Sequence, residues 1–155
     1  MKILVAYYSR TGHNKTIGEI IAKSLSADID EVIDKKKRSG KIGWLRAGRD
    51  STTGRMTEIK TEKNPRDYDL IILGTPIWAG KMTPAMRTYL TQNDLEGKKV
   101  AFFICSGGDG YTQVFPELQA MITNAQVLGT FGVTEEQFKS EAYKPLLETF
   151  IKNLK

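Results

Sequence analysis

The chain has 155 residues, 40% hydrophobic, 26% charged and 9% aromatic, which is the make-up of an ordinary globular domain and excludes a disordered or collagen-like chain. Against 18 Asp and Glu stand 23 Lys and Arg, a net +5 that by itself points to nucleic acid, an anionic membrane or an acidic partner. One cysteine, Cys105, and one histidine, His13, exclude an intrachain disulfide, a zinc site and a multi-histidine metal centre, and no apolar run approaches the ~18 residues that span a bilayer.

Ile3 to Tyr8 is a continuous apolar run, too short for a buried helix and rich in strand-forming residues. No signal-peptide pattern follows the first nine residues, so the expected location is the cytoplasm. Asn14 to Ser26 places Ile17, Ile20, Ile21, Ala22 and Leu25 on one helical face. Ala27 to Ile33 alternates Ile29, Glu31 and Ile33 with Asp28, Asp30 and Val32 and reads as a second, more exposed strand.

A basic insert follows, at about residues 34–56. Residues 35 to 55 hold eight basic side chains (Lys35, Lys36, Lys37, Arg38, Lys41, Arg46, Arg49 and Arg55) against Asp50 alone, a net +7 that leaves the rest of the chain at −2. The second helix of the fold falls here, and four glycines predict that it is short and weakly specified. Three readings stay open: a solvated loop, docking of an acidic protein partner, and a homodimer contact through Trp44 and Leu45. Nucleic acid is disfavoured, because a single aromatic interleaves the charges and no recognition motif is present. Membrane-surface binding needs a longer apolar face.

Tyr68 to Gly74 contains Leu70-Ile71-Ile72-Leu73, a buried strand. Pro84 to Asn93 is a helix with proline at its favoured first position. Lys99 to Cys105 is the fourth strand, Thr112 to Asn124 a helix striped by Phe115, Leu118 and Ile122, and Gln126 to Gly132 the fifth strand. Thr134 caps a last helix, Glu135 to Leu154.

Five strands thus appear, with helices after the first, third, fourth and fifth. Continuous rather than alternating apolar strands mean a sheet covered on both faces. The expected architecture is one α/β domain over residues 1–155, a doubly wound five-stranded parallel sheet with helices on both faces. Such sheets bind ligands beyond the carboxyl ends of their strands, where the winding direction switches.

Three loops leave those ends. Ser9-Arg10-Thr11-Gly12-His13-Asn14-Lys15-Thr16 offers hydroxyls, an amide and the start of a helix, whose N–H groups attract anions. It lacks the spacing of a P-loop and the glycines of a dinucleotide fingerprint, and simple helix capping is its bland reading. Gly74-Thr75-Pro76-Ile77-Trp78-Ala79-Gly80-Lys81-Met82-Thr83-Pro84 sets a tryptophan and a methionine where the chain should be wet. Core packing suits Met82, and a flat ligand suits Trp78. Cys105-Ser106-Gly107-Gly108-Asp109-Gly110-Tyr111 has three glycines in four residues, either a flexible loop or a bare backbone for a ligand to approach. In that order the three loops describe a planar ring held between two of them, with its phosphate on a helix N-terminus.

These residues resemble the flavodoxin-like FMN-binding family over nearly the whole chain, in its short-chain form because nothing interrupts the fifth strand. Ser9-Arg10-Thr11-Gly12-His13-Asn14 is similar to the family's phosphate motif Ser/Thr-x-Thr-Gly-x-Thr, with Asn14 where Thr is common. The resemblance implies FMN as cofactor, with Ser9, Arg10, Thr11, Gly12, His13 and Asn14 around its phosphate. It implies Thr75, Pro76, Ile77, Trp78, Ala79, Gly80 and Lys81 along one side of the isoalloxazine. Ser106, Gly107, Gly108, Asp109, Gly110 and Tyr111 would line the other side and the pyrimidine edge.

The implied function is electron transfer with redox partner proteins of ferredoxin or reductase type, and no side chain is required as a catalytic acid or base. Electron-carrier flavodoxins often read Trp-Gly-Asp, whereas Trp78-Ala79-Gly80-Lys81-Met82 is also similar to flavodoxin-like NAD(P)H:quinone oxidoreductases, the alternative reading. Lys81 near the flavin would favour its negatively charged reduced form. His13 either helps neutralise the phosphate or is a solvated loop histidine, and Cys105 reads as a small buried hydrophobe.

Overall fold

The computed structural model describes every residue from Met1 to Lys155. In chain order the elements are β1 (Ile3–Tyr7), α1 (His13–Leu25), β2 (Asp28–Glu31), β3 (Ile33–Asp34), α2 (Gly40–Thr52) and β4 (Ile59–Lys60). After a short 3₁₀ turn come β5 (Leu70–Thr75), β6 (Ile77–Trp78), β7 (Lys81–Met82), α3 (Pro84–Gln92) and β8 (Lys99–Ser106). The chain closes with α4 (Tyr111–Ala120), β9 (Gln126–Thr134), α5 (Glu135–Lys139) and α6 (Lys144–Asn153). Five strands form a parallel sheet in the order β2-β1-β5-β8-β9. The order reverses beside β1, so the loops after β1 and β5 diverge and leave a crevice between them.

The sheet is buried on both faces, as its continuous apolar strands predict. Alternate residues of β1, β5 and β8 point to opposite sides. Val5, Ile72 and Phe103 pack with Ile17 and Ile21 of α1 and Phe150 and Ile151 of α6. Leu4, Ile71 and Phe102 pack with Met86 and Tyr89 of α3 and Val114 and Leu118 of α4.

Three expectations change. The single strand expected over Ala27 to Ile33 ends at Glu31: Ile29 of β2 faces out, 39% exposed, and Ile33, 46% exposed, belongs to β3, which pairs antiparallel with β4. Asp30 is buried instead, because it accepts hydrogen bonds from the backbone N–H groups of Glu62 (2.9 Å) and Lys63 (3.1 Å). Two backbone donors fix that carboxylate and tie the 61–63 connection to the sheet edge.

The last helix is two helices, α5 and α6, parted at Glu141, which takes φ 61. Pro145 stands in the first turn of α6, where its missing N–H leaves nothing unpaired. In a continuous helix the same residue would remove a hydrogen bond and clash with the preceding turn.

The largest correction is α2. The basic insert contains a 13-residue helix rather than a short, weakly specified one. Its glycines are placed, not scattered. A Cβ on Gly43 would lie 2.4 Å from the Arg38 carbonyl carbon, so only glycine lets the helix close on its own entry. The helix is pinned by charge. Arg38, 6% exposed, donates to Asp34 (2.6 Å) and Asp50 (2.9 Å), and Lys36 donates to the same Asp50 oxygen (2.7 Å). Burial opposes ionisation of Asp50, but the hydrogen bonds from Lys36 and Arg38 win and hold its carboxyl down at about 2.

Candidate functional site

A cavity of about 370 Å³ opens beyond the carboxyl ends of β1, β5 and β8, within the range of small-molecule sites. Arg10, Thr11 and His13 line it from the first loop, Pro76, Ile77 and Trp78 from the second, and Ser106 and Gly107 from the third. The three loops singled out in the sequence therefore meet in one space.

The first loop turns into α1 at Gly12, whose N–H donates to Ser9 Oγ (3.1 Å). The first helical hydrogen bond runs from Thr16 N–H to the Gly12 carbonyl (2.9 Å). That leaves the N–H groups of Thr11, His13, Asn14 and Lys15 without an acceptor in the protein, a cluster of donors at the positive end of the helix dipole. The side chain of Asn14 does not join them. Its amide is buried and spans to β8, donating to the Cys105 carbonyl (3.2 Å) and accepting from the Cys105 N–H (3.0 Å). Ser9 and Asn14 are thus braces of the loop. His13 packs at 4.4 Å on Phe138, which stacks in turn on Tyr143.

The second loop is a hairpin of β6 and β7, pairing Ile77 with Met82 and Trp78 with Lys81. Ala79 and Gly80 turn it with φ 50 and 73, the two left-handed residues of a tight hairpin turn. Alanine there stores about 1 kcal/mol of strain. Thr75 and Thr83 share a hydroxyl contact (3.0 Å) that closes the base. Trp78 is held on several sides. The Tyr8 ring meets it edge-on at 5.6 Å, and the guanidinium groups of Arg10 and Arg38 lie 5.8 and 5.5 Å from its ring centre. Ala79, Gly80 and Lys81 stand at the exposed tip, outside the cavity lining.

In the third loop, a Cβ added to Gly107, Gly108 or Gly110 meets nothing within 4 Å, so the loop backbone faces free space. Ser106 donates its hydroxyl to the Gly108 carbonyl and shapes the turn. Tyr111 turns away from the cavity. Its ring sits where a Cβ on Gly132 would come within 2.2 Å, and it packs near Phe115. Gly108, Asp109 and Gly110 also lie outside the lining.

Trp44, Cys105 and Glu135 complete the wall. Trp44 comes from α2, which packs beside the hairpin with Gly48 3.9 Å from the Ala79 methyl. It stands out in the sequence as the one aromatic of the insert, but nothing there says which way α2 lies or that Trp44 reaches the cavity. Glu135 follows the end of β9 and lines the cavity, its carboxylate paired with Lys139 (3.2 Å). Burial, aided by the Glu135 charge, pushes the Cys105 thiol up to about 12, so it stays protonated and unreactive at neutral pH.

Comparisons with known proteins agree with this fold. The flavodoxin family model matches residues 2–142. A flavoprotein of Lactobacillus acidophilus, solved in complex with FMN, superposes with a TM-score of 0.74 at 25% identity, over 92% of this chain and 97% of that one. Flavodoxin 2 of Bacillus cereus is similar at 22% identity and a TM-score of 0.57, over 99% and 97%. An NADH:FMN oxidoreductase in its apo form shares the fold at 15% identity and a TM-score of 0.63, over 98% and 87%.

Proposed function

Because the chain belongs to the flavodoxin family, we propose that it binds FMN and transfers electrons between redox proteins. The observation that carries this reading is the convergence of unpaired helix N–H groups, an aromatic hairpin and an uncrowded glycine loop on one cavity. The donor set fits the cofactor. Main-chain N–H groups of Thr11 and His13 to Lys15, with the Thr11 hydroxyl, suit a phosphate. Pro76 to Trp78 and the Ser106–Gly107 backbone suit the two sides of a flat ring, and Trp44 lines the same cavity from α2.

Bound FMN would supply reversible acceptance and release of electrons, chemistry that no side chain of this protein provides. The protein's part is to bind, orient and shield. Tyr8, Arg10 and Arg38 hold the Trp78 ring in place, so one wall is set before the ligand arrives. Asn14 locks the first loop to the third-loop strand through Cys105, which fixes the distance between phosphate site and ring site. The Cys105 thiol, held protonated, adds no competing nucleophile.

The test is reconstitution followed by anaerobic mixing. The purified chain should take up FMN, with quenched flavin fluorescence and a shifted visible spectrum. Mixed with NADH or NADPH it should bleach slowly, and rapidly only when a reductase or ferredoxin is added. Fast direct bleaching by a nicotinamide nucleotide would replace the carrier reading with the oxidoreductase one, and failure to bind FMN would sink both.

A further inference from the structure

We propose that the outer face of α2, together with Arg10, is a docking surface for an acidic electron-transfer protein, an inference that rests on the electron-carrier reading. The buried side of the helix is accounted for: Gly43, Ala47, Asp50 and Ser51 face the body. The outer side has no partner in the chain. Ile42, Trp44 and Leu45 are 67%, 64% and 64% exposed, three of the largest apolar exposures in the protein.

Around them stand cations that nothing neutralises. The charges of Arg38 and Lys36 are met by Asp34 and Asp50, and that of Lys35 by Glu58. Arg10, Lys37, Lys41 and Arg46 enter no ion pair. An apolar centre rimmed by unpaired positive charge is the anatomy of a protein interface, and Trp and Arg are the residue types that dominate such interfaces energetically.

The position is as informative as the composition. Arg10, Gly40, Lys41, Trp44 and Leu45 form a shallow hollow that shares Arg10 and Trp44 with the cofactor cavity. A partner seated on α2 therefore touches the cavity's own wall, which keeps the path between two redox centres short. Five residues on one side do not enclose a small molecule, which is normally buried over most of its surface. A 13-residue helix about 20 Å long suits the footprint of one protein partner. Its exposed apolar face is broken by Arg46 and Arg49, unlike the continuous stripe that enters a bilayer. Two copies meeting through this face would bring like charges together.

The experiment is a nuclear magnetic resonance titration of the isotope-labelled, FMN-loaded chain with an acidic [2Fe–2S] ferredoxin as probe. Amides from Lys37 to Arg49 and Arg10 should shift or broaden. Affinity should fall at least about tenfold between low and physiological salt, and the Lys41→Glu, Arg46→Glu double variant should lose at least about tenfold while keeping its FMN. The same α2 amides should respond in the flavin-free chain, so a failure of FMN binding is read separately from a failure of docking. Equal binding of a basic cytochrome c, salt-insensitive affinity, shifts confined to other surfaces, tighter binding to phosphatidylserine vesicles, or self-association through α2 on sedimentation would each overturn the proposal.

Discussion

Helices α1 and α2 each run for 13 residues and each flank the cavity, yet opposite chemistry holds them down. On α1 the buried side is mostly apolar, Ile17, Gly18, Ile21 and Ala22 pressed against β1 and β8, with Asn14 the one buried polar side chain at its first turn. On α2 the larger buried side chains are Asp50 and Ser51, and the anchor is the Arg38 guanidinium shared by two carboxylates. The first helix is part of the global core. The second is tied by Asp50, in its last turn, to Arg38 just ahead of its start, and packs mainly on a hairpin and α3. Apolar burial is tolerant of pH and salt and fails only when the fold fails. A buried ion cluster is sensitive to the loss of any one member.

The contrast can be broken most forcefully at Arg38. Arg38→Met leaves Asp34 and Asp50 buried without their guanidinium, at a cost of about 3–5 kcal/mol. Hydrogen exchange should show the amides of residues 40–52 opening while those of α1 keep their protection. Equal loss in both helices would mean that α2 belongs to the global core after all. Next, Ile17→Ala deletes a fully buried side chain and should lower global stability by about 3 kcal/mol in denaturant unfolding, with both helices affected together.

Acid should separate the two helices without any substitution. The Asp50 carboxyl lies lower in the folded chain, at about 2, than its ordinary 3.8. Its stabilisation, about 2 kcal/mol, is therefore fully present above about pH 4 and is lost as pH falls through 2. Exchange of α2 amides should quicken over that window ahead of those in α1. The smallest effect belongs to the hairpin beneath α2, where Ala79→Gly relieves a left-handed alanine and should raise stability by about 0.5 kcal/mol, read as a small upward shift of the melting temperature.

The same contrast explains what was legible in the sequence. Ile17, Ile21 and Leu25 announce α1 because hydrophobic periodicity is visible in one dimension. The apolar runs of β1, β5 and β8 announce the covered sheet for the same reason. The lock on α2 needs Asp34, Arg38 and Asp50 to meet, and the sequence alone shows only a surplus of positive charge with glycines that look like helix breakers. Asp30 misleads in the same way, since its partners are backbone groups more than thirty positions away.

At the cavity, Thr11, Trp78, Ser106 and Gly107 could be named from loop composition. The inward turn of Tyr111 could not, because it depends on Gly132 leaving room on a neighbouring strand. Nor could Trp44 or Glu135, which arrive from elements outside the three loops.

The distribution of tryptophan has an optical consequence. The chain has two, Trp44 and Trp78, and both sit in the wall of the cavity, Trp78 at the edge of one core cluster, while neither buried cluster contains a tryptophan of its own. Its ultraviolet emission is therefore a gauge of one end of the molecule. When α2 swings free, the emission changes before the sheet loses any circular dichroism. An unfolding curve followed by intrinsic fluorescence measures the lock, and a curve followed by dichroism measures the core.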